Sequence, residues 1–561
     1  MQGRKARRTV ILAAVAALSV AISGCAKSDR NSGGGSSASG QTSSKDTLVF
    51  GAAGDPKLFD PAFASDGETF RVLKQIFEGL VKTKEGSADI EPALATKWEN
   101  SADGKSWTFT LRQGVKFSDG TAFDAAVVCY NFDRWYNFKG AAQSPDVSAY
   151  WQDTFGGFKA NESPDLPPSL YKSCTANGTD SATITLTDPT GRIPAALALP
   201  SFAMQSPTAL KKYDADNVAA AGDTFQYPSY ATAHPTGTGP YVYAGRDEAQ
   251  KTVTITANPN YWGEKPKINK IVFKVISDNN ARKQELQAGT IDGYDLVAPG
   301  DISGLKSAGE QVLDRPPFNI LYLGMNQKNP ALAKPQVRQA IAYAINRDAL
   351  VKSSFPPAAV VAKEFMPPEV AGYADDVTTY NYDPAKAKQL LAQAGESNLT
   401  LNFYWPTEVS RPYMPDPKQI FTVISADLQK AGIKIKPVSK VWNSGYLTDV
   451  QTGKADLHLL GWTGDYNDAY NFDGTFFGRF KPDFGFTNKP LFDAIAKADA
   501  TPDAAQRADQ YKAINRQIMD FLPAVPLAHS PPSVALQSNV KNFVPSPVLN
   551  DEFALVYTTG Q

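Results

Sequence analysis

"ISADLQKAGIKIKPV", residues Ile424 to Val438, decides the fold class. Its first half has the apolar spacing of an amphipathic helix. Gly432 stops that helix, and the alternation that follows is that of a strand. A helix running directly into a strand is an αβ unit, whose successor strand pairs in parallel. "ADLHLLGW", Ala455 to Trp462, is the next strand expected. Ligands of open α/β sheets collect at the carboxyl ends of strands, so Gly461 to Phe472 falls where a site belongs.

The same two periods recur outward from this unit. "DTLVFGAA", "SWTFTLRQGVKF" and "TVTITANPN" read as strands, the second with Trp107, Phe109 and Leu111 on one face. "PQVRQAIAYAINRDALV" reads as a helix with Val337, Ile341, Ala344 and Ile345 on one stripe. "DPAKAKQLLAQAG" reads as another, capped by Asp383, with Pro384 in the first turn and Gly395 at the stop. A chain of 561 residues exceeds the size at which one core keeps growing, so two or more lobes are expected. Apolar residues at 42%, charged residues at 20% and a net charge of −1 leave no electrostatic footprint for nucleic acid.

Arg4, Lys5, Arg7 and Arg8 precede an apolar run from Val10 to Ile22, the pattern of an export signal over residues 1–24. The small residues Ser23 and Gly24 before Cys25 resemble the lipobox of bacterial lipoproteins, which implies a lipidated Cys25. Residues 25–45 are Gly- and Ser-rich and read as a flexible tether. No later segment approaches 18 uninterrupted apolar residues, so lipid is the expected anchor. Cys129 and Cys174 then remain, in an oxidising compartment; a disulfide is expected, with two buried thiols as the alternative.

Catalytic patterns are sparse. His234, His458 and His529 form no metal-spaced pair, and the sequence lacks GxSxG, GxxxxGK[ST] and CxxC. Thr236 to Tyr241 is glycine-rich, but Pro240 makes it a turn. Asp465 and Asp468 are a possible carboxylate pair, and a glycosidase would need them to face each other across a sugar. A surface hydrolase stays as the alternative from another class.

One loop asks for a different explanation. "SRPYMPDP", Ser410 to Pro417, holds an arginine among three prolines that fix φ and remove backbone donors. Such stiffness suits a side chain held for a partner.

Together, "FDPAFASDGETFRVLKQIFEGLV", "LRQGVKFSDGTAFDAAVV", "GTGPYVY", "NPNYWGEKPKINKIVFKVI", "VRQAIAYAINRDAL" and "GWTGDYNDAYNF" resemble family 5 extracytoplasmic solute-binding proteins of ABC importers. "WPTEVSRPYMPDP" followed by "ISADLQKAGIKIKPVSKVW" is most similar to their dipeptide-binding branch. The resemblance implies a two-lobed α/β, periplasmic-binding-protein-like fold of type II with a hinge. It places lobe I at 46–80, 205–317 and 528–561, an extra subdomain at 81–204 and lobe II at 318–527. It further implies that Arg411 takes a ligand carboxylate and Asp465 a ligand ammonium. Trp405, Tyr413 and Trp462 either line side-chain pockets or join the core, and Ser65 and Gly67 face the ligand from lobe I.

Tyr470 departs from the Asp-Pro-Asp pattern of close relatives and is expected to narrow or reshape the pocket. The partners implied are a short peptide and ABC permease subunits, with a monomer, no cofactor, no metal and no chemistry on the ligand. A longer oligopeptide, an oligosaccharide or a metal chelate is the alternative ligand.

Overall fold

Thr47–Ala52, the strand read from "DTLVFGAA", runs parallel to Lys270–Val275 on one side and to Gly293–Asp295 on the other. In this computed structural model, which describes residues 46–56, 58–222, 224–442 and 444–560, it lies centrally in a seven-stranded sheet. From Tyr241–Asp247 at one edge, that sheet continues through Thr252–Ala257 to Thr47–Ala52 and ends with Ser533–Leu536 and Gln311–Asp314. The signal segment, Cys25 and the tether lie outside the described residues. Among the described residues no helix is long and apolar enough to cross a membrane.

A second sheet of six strands contains the αβ unit. Helix Pro417–Lys430 is capped by Asp416, whose carboxylate accepts from the Gln419 amide, and Gly432 at φ +94° turns the chain into strand Lys434–Val441. Only glycine adopts that φ without a Cβ penalty. Lys434–Val441 pairs in parallel with Thr400–Thr407, the strand before the helix. Leu457–Thr463 also pairs in parallel, but with the far side of Thr400–Thr407, and it is antiparallel to Asn319–Met325.

The stripe read over Pro335 to Val351 is two helices, Pro335–Ala344 and Arg347–Ser354. Asn346 breaks the run because its side chain caps the second helix on the Ala349 amide. Both helices bury apolar residues in one core, so the periodicity survives the break.

A third, antiparallel sheet joins Ala95–Asn100, Ser106–Leu111, Ser181–Leu186 and Tyr171–Asn177. Trp107, Phe109 and Leu111 turn into its core, which is dense in aromatic rings. Cys129, on helix Ala125–Tyr136, is bonded to Cys174 on the edge strand, with Cα atoms 5.1 Å apart.

The chain crosses between the two large sheets twice, at Arg315–Phe318 and at Ser530–Pro532, and each crossing contains two consecutive prolines. Ala528 and His529 still belong to strand Ala524–His529 of the six-stranded sheet, so the second crossing falls just beyond the expected boundary. Asn319 fastens the crossings together. Its amide nitrogen donates to the Ser530 carbonyl at 2.6 Å, and its side-chain oxygen accepts from the Ser530 amide at 3.0 Å.

The disulfide closes a loop of 45 residues, worth about 4 kcal/mol of restricted unfolded-chain entropy. Replacing both cysteines by serine should lower the urea midpoint of unfolding by a corresponding amount, with no change in the far-ultraviolet dichroism of the native state.

Candidate functional site

A cavity of about 1060 Å³ opens between the two large sheets. Ser65, Gly67, Arg411, Tyr413, Trp462 and Asp465 all line it, drawn from segments as much as 400 residues apart in the chain. Trp405 does not. It lies half-buried against Phe421, ring centroids 5.3 Å apart, as part of the packing around helix Pro417–Lys430.

The proline-rich loop explains how Arg411 is held. Its backbone amide donates to the Met414 carbonyl at 3.1 Å, and the Met414 amide donates back at 2.9 Å, so Pro412 and Tyr413 form a two-residue turn. Met414 is fully buried. The Tyr413 ring rests on Gly461, where a Cβ would lie 2.4 Å from the ring and 2.2 Å from the Ile320 carbonyl oxygen. Glycine is therefore required at that close approach. The Arg411 guanidinium stacks on Trp442 at 4.5 Å, and its Nε is buried with no hydrogen-bond partner among the described residues. A planar cation stacked on an indole keeps its outer N–H groups free to grip a carboxylate.

Asp465 is held by different means. Asn471, itself buried, accepts from the Asp465 amide at 2.8 Å and from the Trp462 indole N–H at 3.2 Å, and its amide nitrogen donates to the Asp465 carboxylate at 3.5 Å. The other carboxylate oxygen accepts from the Tyr150 hydroxyl at 3.1 Å. Tyr150 belongs to helix Ala149–Phe155, on the far side of the cleft. Burial pushes the Asp465 carboxyl up to about 7, against the Tyr150 and Asn471 hydrogen bonds and with the help of nearby Asp153. A half-buried carboxylate with no cation beside it is a natural acceptor for an ammonium group.

Further contacts join the subdomain to the six-stranded half. Arg192 pairs with Asp499, and Asn467 donates to Asp89 at 2.9 Å. Tyr470 does not narrow the cavity. Its ring faces the subdomain instead, stacked on the Arg192 guanidinium at 4.1 Å. Asp468 forms no carboxylate pair with Asp465, because it caps the Tyr470 amide and pairs with Arg507.

His234, His458 and His529 all lie off the cavity wall. His529 is buried at the crossing, its Nδ1 at 2.6 Å from the Asn319 carbonyl oxygen. Tyr150, Trp442 and Asn471 are the residues of this site to which the sequence reading gave no role. The first two carry no local signal, since each acts only through a distant partner. Asn471 lies in the quoted "GWTGDYNDAYNF", where its position after the strand was the available hint.

The family model for bacterial extracellular solute-binding proteins, family 5 Middle, matches residues 89–483. The dipeptide-binding protein of Escherichia coli (strain K12) is 33% identical over 521 residues, 90% of this chain and 94% of that protein. Heme-binding protein A of Haemophilus influenzae is 31% identical over 559 residues, 98% of each chain. Among solved structures, the ABC transporter-associated periplasmic binding protein of Helicobacter pylori in complex with the peptide STSA superposes with a TM-score of 0.76 at 26% identity. That match covers 92% of this chain and 99% of that one.

Proposed function

The chain belongs to the bacterial extracellular solute-binding proteins, family 5, and from that premise we propose that it captures short peptides for import by an ABC permease. The observation that carries the reading is the pair of charges on one cavity wall: a stacked, turn-locked Arg411 and a half-buried Asp465 with no cation beside it among the described residues. A peptide has a carboxylate for the first and an ammonium for the second. Tyr413 and Trp462 border its side chains, and Ser65 and Gly67 close on it from the other lobe. Trp405 is not included.

The lobes are 46–80, 205–317 and the C-terminal segment on one side, with 81–204 as its subdomain, and 318 onward to the second crossing on the other. The strand membership of the three sheets supports this division. Closure gathers contacts from both lobes around the ligand and shifts the open–closed equilibrium, and the permease reads the closed form. No reaction on the ligand is required. Lipidation at Cys25, a tether over 25–45, a monomeric state and attachment to the outer face of the cell membrane complete the proposal.

The cavity volume lies at the upper end of ligand pockets, about 300–1,000 Å³, and leaves room for peptides longer than two residues. Among the described residues lining it there is no histidine, cysteine or methionine, so of the common axial ligands of haem iron the wall offers only tyrosine.

Calorimetric titration with Ala-Ala, its N-acetyl form, its C-terminal amide and tri-Ala tests the reading. Ala-Ala should bind, and each blocked form should bind at least a hundredfold more weakly. Arg411→Ala and Asp465→Ala should each lose a hundredfold to several thousandfold, because an unpaired buried charge costs about 3–5 kcal/mol. Equal binding of blocked and free forms overturns the peptide assignment.

The pH dependence follows from Asp465, whose carboxyl holds its proton up to about 7. Pairing with an ammonium favours the carboxylate, so binding releases a proton below that pH. Ala-Ala affinity should therefore weaken several-fold from pH 7.5 to pH 6. Asp465→Asn should flatten the profile.

A further inference from the structure

The cavity reaches past Trp462 into the six-stranded lobe, where its wall carries Lys481 and Asp483 beside the rings of Tyr322 and Phe476. Tyr322 and Phe476 meet edge to face at 5.3 Å, and Trp462 and Phe476 at 6.5 Å, so the recess has aromatic sides and a charged end. Asp483 is 3% exposed, and its Oδ1 is buried with no hydrogen-bond partner among the described residues. Among the described residues Lys481 donates only to the Thr475 carbonyl, at 3.3 Å. The two charges form no ion pair within 4.0 Å of each other. They nevertheless act on one another: burial pushes the Lys481 ammonium down, and Asp483 works against that.

An occupant has to satisfy an acceptor and a donor that stand apart. The two charges on its wall, Lys481 and Asp483, sum to zero. Lys481 balances Asp483, the more distant Arg479 and Asp153 act on Lys481 with opposite signs, and burial holds His458 down to about 4, uncharged at neutral pH. A cationic side chain would suit Asp483 but stand against Lys481, and an anionic one the reverse. Either would bury a net charge. An apolar side chain would leave Asp483 unpaired and Lys481 with the Thr475 carbonyl alone.

We propose that this recess is a side-chain subsite for a carboxamide, as in glutamine, whose N–H donates to Asp483 and whose carbonyl accepts from Lys481. The assignment rests on the peptide reading above. Lys481 and Asp483 are then specificity-determining residues, separate from the Arg411 and Asp465 pair that takes the peptide termini.

Calorimetric titration of the purified chain with Ala-Gln and Gln-Ala, each beside its methionine, lysine and glutamate counterpart, tests the proposal. In one of the two orders glutamine should bind about tenfold or more tighter than methionine, which has similar length and no amide, and tighter than lysine or glutamate. Asp483→Asn and Lys481→Met should each bring the glutamine-to-methionine ratio toward one. Equal binding of glutamine and methionine in both orders overturns the subsite, as does a preference for lysine or glutamate, or a ratio that survives both substitutions. Those results with Ala-Ala still binding sink the subsite alone. Failure of Ala-Ala sinks the peptide reading, and the subsite with it.

Discussion

Tyr466 is buried in the aromatic core of the subdomain, although the chain on both sides of it belongs to the six-stranded lobe. That one side chain anchors the loop after strand Leu457–Thr463 across the cleft. Asp465, immediately before it, is thereby carried to the Tyr150 hydroxyl, and Asp468, just after it, starts the short turn that presents Asn471. An aromatic side chain of this size gains roughly 2–3 kcal/mol from full burial. Replacing it with a small residue would free the loop, and with it the Asp465 carboxylate.

The second constraint lies at the crossings between lobes. Arg71, Asp295, Arg315 and Asp551 form a closed ring of alternating charges, with Arg71 bonded to both carboxylates at 2.7 Å and Arg315 to Asp295 at 3.0 Å and to Asp551. All four are buried, and their charges sum to zero. Burial pushes the Asp295 carboxyl up, but Arg315 and Arg71 overcome it and hold the group down to about 2. Removing one member would leave one uncompensated buried charge among the other three, which is costlier than the ring itself is stabilising. Arg315 opens the first crossing and its backbone amide donates to the Pro532 carbonyl at 2.9 Å, so the ring fixes one end of each proline pair while the prolines restrict φ between the sheets. Bending is thereby confined to a few backbone angles, as a two-lobed binding protein requires.

Much of this was legible in the sequence wherever a local pattern carried the physics. The αβ unit announces itself through apolar spacing and Gly432, and Arg411 through its prolines. The break at Asn346 was hidden because both flanking helices bury the same stripe. Strand Thr400–Thr407, which contains Pro406, reads poorly as a strand, yet it pairs on both sides, fully with Lys434–Val441 and only at Phe403 and Tyr404 with Leu457–Thr463. Trp405 and Tyr470 went the other way: the chain reaches the cleft only a few residues away, at Glu408 and at Asp465, but Trp405 packs on Phe421 and Tyr470 on Arg192. Tyr150 and Trp442 could not be found locally, since their roles exist only once Asp465 and Arg411 have been brought beside them.

A crystal structure of the chain grown with Ala-Ala tests the two-charge account most directly. The account predicts one peptide between the lobes, its carboxylate within hydrogen-bonding distance of the Arg411 guanidinium and its ammonium within hydrogen-bonding distance of the Asp465 carboxylate. A peptide bound in the reverse direction, or one whose termini touch neither residue, would contradict it.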